Sequence, residues 1–153
     1  MTFREADLLS LELEVRRIDD GVPLPAYQRE GDAGLDLHSA EDFTLQPGQR
    51  AVIGTGIAVA IPSGLVGLTT PRSGLAARQG LSMVNAPGVI DSGYRGEIKL
   101  ILINLDSRDP IEVKRGERVA QLLIVPAATV RVVEAVELPQ TERGEGGLGS
   151  TGV

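Results

Sequence analysis

The apolar residues of this chain come in short runs, and nearly every run is stopped by glycine or proline. The two strongest, residues 97–105 (EIKLILINL) and 118–125 (RVAQLLIV), are Val/Ile/Leu-rich and too short to be core helices. Upstream, Leu9, Leu11, Leu13 and Val15 alternate with Ser10, Glu12, Glu14 and Arg16. That period of two predicts a half-buried strand over residues 9–17. Further strands are predicted at 65–70, 81–84, 89–91, 111–114 and 129–138. Residues 50–61 read as one or two strands bent at Gly54 and Gly56. Only residues 73–79 tempt as a helix, about two turns long and stopped by Gly80.

Nineteen glycines and nine prolines supply the turns, and the fold class that follows is all-β, a sandwich or barrel. At 153 residues one domain is expected. The only aromatics are Phe3, Tyr27, Phe43 and Tyr94, so the core must be aliphatic. Burial between subunits would reinforce so thin a core. The last fifteen residues change character, with five glycines between positions 144 and 152. The division is therefore a β domain over residues 1–138 and a flexible arm over 139–153.

Composition also excludes chemistry. Without cysteine there are no disulfides, thiol nucleophiles, zinc fingers or iron–sulfur clusters. His38 is the only histidine, which rules out an HExxH zinc site; its position reads as structural or surface. No apolar run approaches the roughly 20 residues of a membrane span. The first ten residues lack the basic start and apolar stretch of a signal peptide, so a cytoplasmic protein without membrane contact is expected. A net charge of -6 argues against DNA or RNA as a partner.

Five segments carry residues that chemistry needs. Asp32-Ala-Gly-Leu-Asp36 places two carboxylates four apart, on one face if the segment is extended. Pro71-Arg72-Ser73-Gly74 joins a strand to the short helix. Arg72 offers a planar fork for phosphate oxygens, and Ser73 is either a helix cap or part of an anion site. Asn85 to Glu97 (NAPGVIDSGYRGE) holds an amide, glycine turns, Asp91, and an aromatic, Tyr94, placed in a turn. Tyr94 is either a stacking platform for a sugar or base, or a ring packed on a neighbour. Gln121 interrupts an apolar strand as a strut or a ligand contact. The tail 143–152 (RGEGGLGSTG) suits a polyphosphate or is simply disordered, and it contains no Walker A lysine.

In this order and spacing the five segments resemble the five motifs of the trimeric dUTPase family, over nearly the whole chain from about Pro23 to Gly152. The resemblance implies a jelly-roll-like subunit in a homotrimer. Each active site is shared between subunits, and the C-terminal arm of one subunit closes over it. The implied reaction is hydrolysis of dUTP to dUMP and pyrophosphate, with Mg²⁺ as the ion. It limits uracil in DNA and supplies dUMP for thymidylate.

By the same resemblance Asp91 activates the attacking water, a role open to a carboxylate in a chain with one histidine. Arg72, Ser73, Gly74 and Gln121 hold phosphate oxygens. Asn85, Gly88, Val89, Ile90 and Tyr94 form the base and sugar site, and Lys99 joins the substrate-binding set. Arg143, Leu148, Gly149, Ser150 and Thr151 arrive with the arm. Asp36 acts near the metal through water, or in a local ion-pair network. Leu148 departs from the family, which places an aromatic there to stack on uracil, a contact of about 1–3 kcal/mol. The rival readings are a dCTP deaminase-like enzyme and a non-catalytic nucleotide-binding regulator on the same scaffold.

Overall fold

The computed structural model describes residues 11–146. Strands are β1 (Glu14–Arg17), β2 (Leu35–His38), β3 (Phe43–Leu45), β4 (Arg50–Ala60), β5 (Leu65–Pro71), β6 (Leu81–Met83), β7 (Gly88–Ile90), β8 (Glu97–Asn104), β9 (Ile111–Val113) and β10 (Arg118–Pro126). A single helix among the described residues, α1 (Ser73–Gln79), falls between β5 and β6. Strands β1-β4-β8-β6 form one four-stranded sheet, β2-β10-β5-β7 a second, and β3-β9 a two-stranded ribbon. All the pairings are antiparallel. The all-β expectation holds.

The two larger sheets share one core. Ile98, Leu100 and Leu102 of β8 meet Leu37 of β2 and Leu122 of β10, with Val119 and Ala120 beside them. Every buried core side chain is aliphatic or methionine, and Phe43 packs only partly against the cluster. Asn104 is fully buried, and its amide donates to the carbonyls of Leu45 and Asp109 at 2.9 Å each while its oxygen accepts from Asp106 N. It ties the end of β8 to β3 and to the following loop, with no polar atom left orphaned.

The bend expected in residues 50–61 is a register shift between Gly54 and Ala58, within one continuous strand. Gly56 takes φ +68° there, a conformation that disfavours other residues. Strand β1 is shorter than the alternation implied. Its pairing stops at Glu14 opposite Ala60, because β4 ends there and Pro62 turns the chain away. Leu11 to Leu13 therefore lack a ladder, and residues 9 and 10 lie outside the described residues.

The strand expected over 129–138 does not form. Residues 127–135 have no regular structure, and Val130, Val132, Val133, Val136 and Leu138 are 63–102% exposed. The apolar alternation is present, but among the described residues no strand edge accepts it. Strand β3, which the sequence reading did not contain, is too short to show a period and owes its form to pairing with β9.

Candidate active site

One group of polar side chains gathers where β2, β10 and β5 lie side by side. Asp36 stands opposite Gln121, and Gln121 stands opposite Thr70. Arg72 follows two residues after Thr70. Asp36 is 1% exposed, and its two oxygens face two guanidinium groups. Arg118 donates to Oδ2 at 3.0 Å, and Arg72 Nε lies 3.3 Å from Oδ1. The approach of Arg72 satisfies an ion pair but not hydrogen-bond geometry, so Oδ1 keeps a free lone pair. Arg72 also donates to the Arg118 carbonyl at 3.4 Å. The carboxylate thus fixes two arginines whose forks remain partly open to solvent.

His38 sits opposite Arg118 in the register, half-buried. Burial pushes its imidazole below the ordinary value; Asp36 pulls it up, and Arg118 and Arg72 push it down. An open recess of about 400 Å³ lies beside these groups, lined by His38, Arg72, Gln79 and Arg118 together with Glu112 and Glu117. Asp32 does not join Asp36 on a strand face. It lies in an exposed turn, accepting from Arg29 N at 2.9 Å, and β2 starts only at Leu35.

Helix α1 begins with Arg72 as its N-cap, in extended backbone, and without a side-chain cap. Ser73 is therefore the first helical residue rather than the cap, and its hydroxyl is exposed. Gly74 faces Arg78, whose guanidinium would lie 3.1 Å from a Cβ at that position. A Cβ at Gly34 would fall 3.1 Å from Gln121 Cβ and Cδ, so the glycine of the first segment makes room for Gln121. Among the described hydrogen bonds none engages the Gln121 amide, which is half-buried and available.

A second group lies on the hairpin after β6. Asn85 is exposed in the turn, and a cis Ala86–Pro87 bond follows. Gly88 is buried opposite Thr69, Val89 is exposed, and Ile90 packs partly on the core. Asp91 leaves the sheet exposed, its carbonyl accepting from Tyr94 N at 3.0 Å. Tyr94 is 45% exposed. Lys99 is in the other large sheet, with Nζ 3.9 Å from Glu97 Oε2, away from Arg72.

Gly88, opposite Thr69, lies one residue from the level at which Gln121 faces Thr70, whereas Asp91 lies toward the other end of the second sheet from Arg72. Ile90 pairs with Gly67, so Asp91 departs near the level of Val66, whereas Arg72 follows Pro71. Six residues of strand correspond to roughly 20 Å. Arg72 and Asp91 of one chain are therefore well separated along the sheet. Arg143 joins neither group: its Nε donates to Gly146 O at 2.9 Å, closing a turn within the tail. Leu148, Gly149, Ser150 and Thr151 lie outside the described residues.

A family model described as dUTPase matches residues 20–152. The chain belongs to the dUTPase family. It is 56% identical to the deoxyuridine 5'-triphosphate nucleotidohydrolase of Nocardia farcinica over 140 residues, 92% of this chain and 85% of that protein. It is likewise 56% identical to the Mycobacterium marinum protein of the same name, over 94% of this chain and 97% of that one. Among solved structures it resembles a mutant Staphylococcus bacteriophage 80alpha dUTPase with dUpNHpp. That likeness has a TM-score of 0.87 and 33% identity over 93% of this chain and 99% of that one. It also resembles a mutant dUTPase of phage phi11 described for its coordination of a structural Mg(II) ion, with TM-score 0.79 and 30% identity over 85% of this chain and all of the other.

The donor set fits a magnesium ion that arrives on a nucleotide better than one held by the dUTPase chain itself. Among the described residues no three of His, Cys, Asp and Glu cluster as a metal cage. Among the described residues Asp36 Oδ1, beside Arg72 and Arg118, is the one buried side-chain atom without a hydrogen-bond partner, enough for a single outer contact to a hydrated ion. Two residues lie in the quoted segments without a role assigned from sequence: Arg118, which holds Asp36, and Glu97, whose carbonyl accepts from the Tyr94 hydroxyl while its carboxylate accepts from Gly56 N. Arg118 opens a buried strand and Glu97 closes the hairpin motif, so both had positional signals, but their partners are distant in the chain. Among the described residues no helix is long and apolar enough to cross a membrane.

Proposed function

We propose that the chain hydrolyses dUTP to dUMP and pyrophosphate as a homotrimer with active sites formed between subunits. The observation that carries the shared site is the separation of Asp91 from Arg72 along the second sheet. A neighbouring subunit must bring the missing half to each nucleotide. Two surfaces support self-association. The exposed valines and leucine of residues 130–138 need a partner edge, and Val52 and Val84 are exposed at the outer side of the first sheet. The arm, residues 139–153, then closes over a neighbouring site and brings Arg143, Leu148, Gly149, Ser150 and Thr151 to the phosphates and base.

In the reaction, Asp91 accepts a proton from a water placed in line with the α-phosphorus. The water oxygen bonds to phosphorus, the bond to the bridging oxygen of the β-phosphate breaks, and pyrophosphate leaves with that electron pair. Arg72, Ser73, Gly74 and Gln121 hold the phosphate oxygens, with Arg72 oriented by Asp36. A magnesium ion bound with the triphosphate would supply charge neutralisation there. The ion-pair network with Arg72 and Arg118 is therefore the main role of Asp36, and its free Oδ1 would be the residue's contact toward such an ion.

Selectivity rests on the hairpin. Asn85, Gly88, Val89 and Ile90 present a fixed donor and acceptor pattern to uracil, against which cytosine leaves buried polar groups unpaired. Tyr94 lies under the deoxyribose and crowds a 2′-hydroxyl, while Lys99 contributes charge at the substrate's edge. The same reading makes the protein a cytoplasmic enzyme of nucleotide metabolism that limits uracil in DNA and supplies dUMP.

The test is pyrophosphate release from dUTP with Mg²⁺, and its loss in Asp91→Asn with nucleotide binding retained. Ammonia release from dCTP would point to a deaminase instead, and binding without turnover to a regulator. A scattering mass near three times 16.1 kDa is expected.

A further inference from the structure

Gly96 has no conformational reason to be glycine, since it is not among the residues with positive φ. Its reason is room. A Cβ there would fall 2.6 Å from Tyr94 Cζ and 3.0 Å from Cε2, distances that neither side could accommodate without moving the ring. The ring lies over the Gly96 backbone, and its hydroxyl donates to the Glu97 carbonyl at 2.9 Å. Two further bonds hold the same tyrosine, and a third fixes its neighbour Arg95. Its N–H donates to Asp91 O at 3.0 Å, its carbonyl accepts from Arg95 at 2.8 Å, and Arg95 also donates to Ser92 O at 2.6 Å. Glu97 is itself fixed, as the first residue of β8 and by accepting from Gly56 N at 2.9 Å across the bulge of β4.

We infer that Gly96 is a specificity-determining positioning residue, which sets the sugar discrimination of the site by leaving the space into which Tyr94 folds. The inference rests on the reading of the site as a dUTP hydrolase. Its physical content is that the ring is built into place before any nucleotide arrives, by backbone bonds and a missing side chain. Substituting Gly96 leaves the aromatic in the chain and removes only its position. Gly93, in the same turn, is the natural control, because a Cβ there meets nothing within 4 Å.

The experiment compares kcat/KM for dUTP and for UTP in the wild type, Gly96→Ala, Gly93→Ala and Tyr94→Phe, each in full-length protein. Gly96→Ala is expected to lower the dUTP/UTP ratio by at least about tenfold, with Gly93→Ala within about twofold of wild type. Tyr94→Phe keeps the ring and loses the Glu97 bond, so a smaller loss of discrimination is expected. A second readout uses fluorescence: the chain has no Trp and two tyrosines, so in a Tyr27→Phe background Tyr94 is the sole emitter. Acrylamide quenching of the nucleotide-free protein should rise in Gly96→Ala and, to a lesser degree, in Arg95→Ala, which loses the side-chain bonds to the Tyr94 and Ser92 carbonyls.

An unchanged ratio in a folded Gly96→Ala overturns the inference, even where the wild type hydrolyses dUTP and refuses UTP. If that variant does not fold, an unchanged ratio in Tyr94→Phe together with unchanged quenching in Arg95→Ala overturns it equally. A wild type that does not hydrolyse dUTP removes the underlying reading instead.

Discussion

Replacing Asp36 by Asn removes one charge and little volume, and the structure sets the size of the effect. The carboxylate is buried and faces Arg118 at 3.0 Å and Arg72 at 3.3 Å. A hydrogen bond to a charged group is worth about 1.5–3 kcal/mol, reduced here because Arg118 is partly solvated. The Arg72 contact is off-axis and adds roughly 0.5–1 kcal/mol. A loss of about 2 kcal/mol lowers the melting temperature by roughly 4–8 °C in a domain of this size. Freed of its partner, Arg72 also loses orientation, and KM for dUTP should rise about tenfold, equivalent to ~1.4 kcal/mol. Thermal denaturation without nucleotide and initial rates over a dUTP series measure the two effects separately. A variant with a melting point within about 1 °C of wild type and an unchanged KM, but an altered Mg²⁺ requirement, would refute the network account. It would restore the metal as the main business of Asp36.

Other consequences follow from the same geometry. Leu102→Ala, at a site with no solvent exposure, should cost about 2–5 kcal/mol in denaturant unfolding. Truncation ahead of Arg143 should lower kcat/KM for dUTP while leaving the melting point of the β domain unchanged; equal activity would remove the arm from the mechanism. The Asp106 carboxyl is held below its ordinary 3.8 by the backbone N–H groups of Asp109 and then Arg108. Its contribution to stability is therefore complete above that ordinary value and is lost as pH falls through the lower folded value. Asp106→Asn should flatten the acid limb of a melting-point-versus-pH curve below about pH 4, and a parallel curve would contradict the assignment.

Much of the fold was legible because short aliphatic runs bounded by Gly or Pro leave few alternatives. Helix α1 appears at the predicted residues, and β5, β8 and β10 fall within a residue or two of expectation. The failures share a cause. A strand is a pairwise object, and pairing is not written in one segment. Residues 130–138 carry the apolar alternation yet find no edge among the described residues, while Phe43 to Leu45 show no period and form β3 because Ile111 to Val113 lie beside them. The site divides the same way. Arg72, Asp91 and Gln121 stand out by residue type in their local context. The grip of Arg118 on Asp36, 82 positions apart, and the fold of Tyr94 over Gly96 are contacts that only the assembled backbone reveals. Local pattern also misled at Asp32, which shares no strand with Asp36 because the turn before Leu35 intervenes.

The central claim is that each active site takes Asp91 from one subunit and Arg72 from another. Asp91→Asn and Arg72→Gln, each inactive alone, can be unfolded together at equal concentration and refolded as mixed trimers. Random assembly places an intact Asp91 beside an intact Arg72 in about one quarter of the sites, the product of two chances of one half at a heterologous interface. Recovery of dUTP hydrolysis to about that fraction of wild type is the predicted result. Mixed trimers, verified by mass, that stay as inactive as their parents would show that both residues must come from the same subunit, and would contradict the account.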